Sequence, residues 1–280
     1  MFLLQLKSEL WKLFGKKRTY IGTGMFLLLQ VIIVLWLKYD KRVAARIARG
    51  ISDNGFLITH YLTNLTIVGI TLMPIGYFLL ALYSALVGGD LVAKEAEDGT
   101  LRMILSRPVS RLRLILLKWL AGAIFSLALV VALGVFGTLF TRIFYPSGAM
   151  FVLLDRERTF SAFEGWTAWE RLATVHLAMS VEACTIMTLA FMFSCFNIKP
   201  ATATILAISF FFINLILDSL PYLQDYKEWF LVEHLYLWTS FFREPIPWWR
   251  VGESLSVLAG YNLTFLVIGC AVFQMRDIKS

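Results

Sequence analysis

Between two long apolar runs the chain carries "EAEDGTLRMILSRPVSR", Glu95 to Arg111, its most concentrated set of residues able to do chemistry. Glu95, Glu97 and Asp98 stand at one end, Arg102, Arg107 and Arg111 at the other. The stretch holds no nucleophile–base pair and no metal-ligand spacing, so its chemistry is charge pairing and hydrogen bonding rather than bond making. Asp98 and Thr100 are both favoured N-cap types, and Gly99 permits the turn between them. Leu101, Ile104 and Leu105 recur at helical spacing, with Arg102 and Arg107 off that edge. Pro108 stops the short helix, and Ser110 is placed to cap the next one. The pattern predicts two long helices joined by a short polar helix shaped to fit a protein partner.

Other ionisable side chains are isolated in apolar surroundings. His176 and Glu182 lie six residues apart, which at about 100° per residue puts them on different faces of one helix. An ionisable group at lipid depth marks a functional site by default. Glu182 therefore reads either as lining a pathway or as pairing with a polar neighbour. Asn214 and Asp218, one turn apart, could line an outer vestibule, with helix termination the plainer account of Asp218. Cys184, Cys195 and Cys270 fall inside apolar runs with no CxxC spacing, which points to inert thiols rather than disulfides or zinc. No GxxxxGK[ST] occurs, so any nucleotide-driven step needs a second polypeptide. No catalytic residue and no metal ligand is assigned.

The elements that must position these residues are membrane helices. Of 280 residues, 59% are hydrophobic and 16% charged, and the mean hydropathy is +0.72. A soluble domain covers its surface with charge at about a quarter of its residues, so lipid must cover part of this chain. The net charge of +7 sits in short segments beside apolar runs, where headgroups and the positive-inside rule explain it better than nucleic acid. Six runs approach or exceed the roughly 20 residues that span a bilayer: Thr19–Leu37, Leu65–Val87, Leu112–Thr141, Ala173–Phe196, Ala201–Leu217 and Leu255–Phe273. The first is a retained anchor, because a charged segment rather than a small-residue cleavage site follows it. Pro200 suits the first turn of the fifth. Leu, Val and Phe dominate without alternation, which favours helices over barrel strands. The expected fold is all-α, a single polytopic membrane domain over residues 1–280.

The flanks refine that layout. Phe2, Leu3, Leu6, Leu10, Leu13 and Phe14 fall on about one third of a helix circumference, which predicts an interfacial helix within residues 1–18, although Leu4 and Trp11 spoil the stripe. The aromatic stretch Ser219–Ser254 predicts re-entrant or interfacial helices at the outer face, closed by Pro245 and Pro247. Gly69, Gly76 and Ala81 suggest close helix contacts, and Pro74 a bend. An even number of spans puts both termini on one side. Lys and Arg divide thirteen to twelve between the two sides, but the favoured side holds them in shorter segments, and "KKR" at Lys16–Arg18 abuts the first span. Both termini are therefore placed in the cytoplasm, with "KYDKRVAARIAR" standing as an objection.

The segment "GGDLVAKEAEDGTLRMILSRPVSRLRLILLKWLAG" resembles the region after the second span of ABC transporter permeases of the type-2 exporter class, including the copper-enzyme-maturation and sodium-efflux branches. The matching residues are Glu95 and Glu97 ahead of Gly99-Thr100, then Leu101, Leu105, Pro108-Val109-Ser110-Arg111 and Lys118. Six spans behind an N-terminal helix also match, while the charged segment after span one departs. The resemblance implies a non-catalytic permease subunit of the cytoplasmic membrane that pairs with a second copy and docks on a separate ABC ATPase. ATP and Mg would sit on that partner, with no cofactor in this chain. Residues 89–111 would form a cytoplasmic coupling loop, helped by the N-terminal helix. Glu95, Glu97, Gly99, Thr100, Arg102, Arg107 and Arg111 would carry the ATPase contact or fix its geometry. An alternative is a membrane anchor that passes ATPase-driven motion to an extracytoplasmic accessory protein without moving a solute. A lipid-modifying enzyme built on His176, Glu182 or Asp218 lacks any aligning motif.

Overall fold

A backbone in lipid must satisfy its own hydrogen bonds, and long apolar runs without alternation do so as helices. The computed structural model describes residues 2–106, 110–154 and 159–276. It is predominantly α-helical, with six helices long and apolar enough to cross a membrane. An N-terminal helix α1 (Phe2–Gly15) leads into α2 (Lys17–Tyr39), α3 (Lys41–Asp53) and α4 (Ile58–Tyr61). Then come α5 (Asn64–Glu97), the short α6 (Thr100–Leu105) and α7 (Arg111–Thr141). A hairpin of β1 (Met150–Leu154) and β2 (Thr159–Phe163) precedes α8 (Gly165–Ser194) and α9 (Pro200–Ser219). A 3-10 helix (Pro221–Trp229), α10 (Leu231–Leu235) and α11 (Leu237–Ser240) lead to α12 (Trp248–Met275). The spanning helices are α2, α5, α7, α8, α9 and α12.

Helix α8 is the axis. Its apolar window is 78% buried against 22% for α2 and for α12, so α5, α7, α9 and α12 pack around it while α2 lies outside against α7. Close approach at the axis depends on glycine. A Cβ on Gly88 would sit 2.2 Å from the Met187 carbonyl oxygen, and one on Gly89 2.3 Å from Thr204 Oγ1. These glycines and Asp90 read as the end of a helix, yet α5 continues through them to Glu97, so residues 89–97 are helical rather than loop. Pro74 is followed by a π-turn over Ile75–Leu79 instead of a plain bend. Within it, Gly76 lets the Trp238 ring approach to 2.9 Å of where its Cβ would be. Gly69, by contrast, meets only Val152 of the hairpin, at ordinary distance.

One end of the bundle carries a cap that the sequence did not announce. The hairpin pairs antiparallel, Phe151 opposite Ala162 and Val152 opposite Ser161, and packs on the first turns of α5. Thr66 Oγ1 accepts from the Phe151 N–H at 2.9 Å, and Thr63 Oγ1 donates to the Ala149 carbonyl at 2.5 Å. Asp40 breaks the chain out of α2 and caps α3 by accepting from the Arg42 and Val43 N–H groups. Val43, Ile47 and Ile51 then turn onto the ends of the neighbouring helices, leaving Lys41, Arg42, Arg46 and Arg49 exposed. Residues 231–242 fold back into the bundle, where Leu231, Trp238 and Phe242 are fully buried.

The other end gathers α1, α6 and the far ends of α8 and α12. Arg276 donates to the Phe196 carbonyl and Asn197 Oδ1, at 3.3 and 2.7 Å. Helix α1 lies against α7, with Leu6, Leu10 and Leu13 packed on the protein core. Its exposed apolar residues are Phe2, Leu3, Leu4, Trp11 and Phe14, so the predicted stripe divides: Leu6, Leu10 and Leu13 face protein, while Phe2, Leu3 and Phe14 face outward with Leu4 and Trp11.

Gly88→Ala should destabilise the detergent-solubilised protein by about 1–3 kcal/mol, since the displaced atom is backbone. Gly252→Ala, with nothing within 4 Å of its Cβ position, should leave the thermal midpoint unchanged. Equal midpoints for both variants would contradict the close approach of α5 to α8.

Candidate functional site

The polar hinge after α5 rests on a ring of charge, buried at Lys118 and open to solvent at Lys12. Helix spacing puts Glu9 and Lys12 of α1 on one face, Lys12 Nζ lying 2.6 Å from Glu9 Oε1. The seating of Leu6, Leu10 and Leu13 on α7 aims that face at Lys118, which is 1% exposed. Lys118 Nζ donates to Glu9 Oε2 at 2.9 Å. It also lies 2.6 Å from Glu95 Oε2 of α5, an ion pair whose angle falls outside hydrogen-bond geometry. Lys12 Nζ closes the ring on Glu95 Oε1 at 3.3 Å. Each of the four charges therefore touches two of opposite sign, and three elements are tied at one point. A lone ammonium in that place would cost several kcal/mol.

The ring sets the charge state of its members on α1. Burial pushes the Glu9 carboxyl up, but the field of Lys118 and the bonds from Lys12 and Lys118 outweigh it, holding the group below its ordinary value. For Lys12, burial acts against the ammonium, while Glu9 and Glu95 outweigh it and raise the group. The Glu9 contribution to stability is thus present above its ordinary value of 4.5 and lost as pH falls through the depressed one. The Lys12 contribution is present below 10.5 and lost as pH rises through the raised one. Between those limits Glu9 and Lys12 are both charged.

From this anchor the chain turns into α6 through Gly99, whose φ of +73° favours glycine. Neither Asp98 nor Thr100 caps α6. The reversal at Gly99 sends both side chains back to α5: Asp98 pairs with Lys94 at 3.1 Å, and the Thr100 hydroxyl donates to the Glu95 carbonyl at 3.2 Å. Glu97 also pairs with Lys94, at 2.8 Å, on the exposed side. Leu101 is buried and fixes the helix, while Arg102 and Met103 face outward. Ser110 does cap α7, accepting from the Arg113 N–H at 3.3 Å. Arg111 donates to the carbonyls of Gln274 and Arg276 at 3.2 and 2.9 Å, tying the start of α7 to the end of α12. Arg107 lies outside the described residues. A groove of about 860 Å³ runs between α1, α6 and the end of α5, with Trp11, Lys16, Asp98 and Met103 on its walls.

The sequence-predicted residues thus divide. Glu95 points inward, into the ring. Gly99, Thr100 and Arg111 fix the hinge, and Glu97 and Arg102 lie on its outer surface. Sequence reasoning missed Glu9 and Lys12 and did not give Lys118 its role; the available signal was a lysine alone in the apolar run "LILLKWLAG", which demands a partner. Glu182 is fully buried and faces the bundle interior beside the Trp238 indole, without a hydrogen bond of normal geometry. His176 bonds the Leu172 carbonyl at 2.7 Å and does not meet it. Asn214, half-buried, donates to the Phe210 carbonyl of its own helix at 2.9 Å. Neither Glu182 nor Asn214 belongs to the ring. Among the described residues, no group of three or more His, Cys, Asp or Glu side chains could hold a metal ion.

Residues 52–279 match a family described as "Protein of unknown function (DUF2705)". That stretch includes Glu95 and Lys118 but not Glu9 or Lys12. The chain is also similar to the "Uncharacterized protein YhcI" of Bacillus subtilis (strain 168), 26% identical over 242 residues that cover 82% of this chain and 72% of that protein. Neither name carries an activity, so the functional reading rests on the site.

Two measurements probe the ring. Lys118→Met leaves two carboxylates facing each other and should cost about 3 kcal/mol, the low end for breaking a buried pair because Glu95 keeps some exposure; a change below about 0.5 kcal/mol would remove the ring from the stability argument. Amide exchange in α1, corrected for its intrinsic pH dependence, should stay flat near neutral pH and accelerate as pH falls below 4.5. Glu9→Gln should abolish that acid transition, and an unchanged transition would assign it to another group.

Proposed function

The chain belongs to the DUF2705 family, whose description assigns no activity, and from its inner-face geometry we propose that it is the membrane subunit of an ATP-binding cassette exporter. In this reading a separate ATPase binds ATP and Mg and docks under α6, in the groove bordered by α1. Two copies of the chain assemble with two ATPase copies in the cytoplasmic membrane, both termini cytoplasmic, and the chain itself catalyses nothing. The observation that carries the proposal is the ring Glu9–Lys118–Glu95–Lys12. It makes the inner ends of α1, α5 and α7 one stiff body directly behind a short helix that offers Arg102 and Met103 outward. A docking partner that displaces α6 therefore moves spanning helices rather than a loose loop. Glu95 acts by holding the platform, while Arg102, Glu97 and Met103 make the contact.

A second reading is favoured by the length of α5. The same helix that ends at the hinge runs 34 residues into the hairpin-bearing cap, so motion at α6 reaches the far face along one rod. The protein would then transmit force to an extracytoplasmic accessory protein without passing a solute. ATP-driven cargo movement in reconstituted bilayers separates the two readings: transport by this chain and its ATPase alone supports the exporter.

An ATPase should co-purify with the tagged wild-type chain from native membranes in mild detergent, and be lost from the double variant Arg102→Glu, Met103→Asp. Met103→Cys should react with impermeant thiol reagents only from the cytoplasmic side. Labelling from the outside, or retention of the ATPase by the double variant, would overturn the docking assignment.

A further inference from the structure

Glu182 lies at the middle of α8, the axis of the bundle, fully buried and with both carboxyl oxygens lacking a well-formed hydrogen bond. The helices packed around that point bring no charge to it. Residues 64–89 of α5, 119–141 of α7, 200–217 of α9 and 254–275 of α12 contain no Asp, Glu, Lys or Arg. Their titratable side chains are Tyr77, Tyr83, Tyr261 and Cys270, with His176 and Cys184 on α8 itself. In the folded-back segment 231–242, Glu233 pairs with Arg250, while His234 bonds the Ser254 hydroxyl and the Glu228 carbonyl at 3.1 and 2.8 Å. The Tyr236 hydroxyl donates to the Tyr77 carbonyl at 3.3 Å. Along α8, Ser180, Thr185 and Thr188 give their hydroxyl protons to carbonyls of their own helix. The donor left beside the Glu182 carboxyl is the Trp238 indole N–H, itself fully buried and without a well-formed bond. Both Trp238 and Met179, one turn before Glu182, close on the vacant side of Gly76, to 2.9 and 3.0 Å of its Cβ position.

We propose that Glu182 is a proton-binding site, its carboxyl occupied in this arrangement by a proton and closed off from water by Trp238. An ionised carboxylate there would have one donor for two oxygens and no positive charge nearby, a heavy cost in low dielectric. The acid form removes the charge. Its carbonyl oxygen accepts from the indole N–H, and its hydroxyl can turn onto a backbone carbonyl of α8 as the neighbouring Ser and Thr hydroxyls do, whereas a carboxylate has no proton to offer a carbonyl. A metal cation would need several ligands, and among the described residues no cluster of three or more His, Cys, Asp or Glu provides them. The position of Trp238 therefore sets the charge at the axis. When residues 231–242 lift the indole away and water enters, the carboxylic O–H bond breaks, the proton passes to water and a solvated carboxylate remains; closing the bundle again takes a proton back. The inference does not rest on the ATPase reading, and its test involves no nucleotide.

The test is infrared spectroscopy of the full-length protein in phospholipid bilayers at neutral pH. The wild type should show the carbonyl stretching band of a protonated carboxylic acid, and Glu182→Gln should lose it. A heavy carbon isotope in the glutamate carboxyls should lower the frequency of the wild-type band, which keeps the test decisive should that variant fail to fold. Trp238→Phe, which keeps a ring but removes the N–H, should move the band to higher frequency because the carbonyl loses its donor. After transfer to heavy water the band should shift slowly in the wild type and faster in Trp238→Ala, where the cover is gone. Absence of an isotope-sensitive acid band from the wild type, or its retention by Glu182→Gln, would overturn the site. A band that Trp238→Phe leaves unmoved would overturn the indole contact, and equal deuteration rates in wild type and Trp238→Ala would overturn the closure.

Discussion

The structure depends on a lysine that has no business in lipid being neutralised from two directions. Lys118 lies two turns into α7 with its ammonium shielded from solvent. A single carboxylate would leave the ammonium's other protons unmatched in low dielectric, so a second acid repays the remaining desolvation. Those acids come from different elements, Glu9 from α1 and Glu95 from α5. The consequence is mechanical. Moving α1 away exposes a charge deficit in α7, and moving α5 away does the same. Lys12 closes the ring at its solvent edge and balances the second acid. Because the penalty falls on separation rather than on common displacement, the three helix ends favour moving together.

That rigidity continues upward by packing. Past the ring, α5 is pressed on α8 at Gly88, where the Met187 carbonyl leaves no room for a side chain, and on α9 at Gly89, where the Thr204 hydroxyl stands in the way. Gly122 of α7 meets only the side chains of Leu91 and Met187, both at 2.8 Å from its Cβ position. Contacts of this kind transmit displacement well, since a close-packed interior has little slack. The one irregularity is the π-turn after Pro74, where the rod is softened and Trp238 is wedged against Gly76. Above it, α5 is held by hydroxyl bonds to the hairpin. The helix is thus held at both ends, with the π-turn between them.

What the sequence made legible follows from the range of the forces involved. Apolar runs are local, and all six became spanning helices. The ends of those helices were less legible, because glycines at 88 and 89 look alike whether they stop a helix or let another one in. The segments 150–154 and 159–163 are short, and the first is apolar on both faces, so period-2 alternation could not betray a hairpin whose inner face meets α5 and whose other face meets α3 and α4. At the hinge, the turn at Gly99 and the cap at Ser110 were local and readable, but the roles of Asp98 and Thr100 changed with a chain reversal that spacing alone does not encode. The ring was least legible. Glu9 sits at the edge of the α1 stripe, about 40° from Leu13, and its partner is 109 residues away. No periodicity spans that gap.

The charged ring and the π-turn are joined by one helix, α5. Glu95 is in its last turn, and Tyr77 and Phe78 are in its π-turn. The α5 segment between them is the part held most tightly, by Gly88 and Gly89. A close-packed segment of this kind has little slack, so it links the α6 end of α5 to the π-turn. Close packing along α5, tightest where the Met187 carbonyl meets Gly88, is what joins the charged ring to the π-turn.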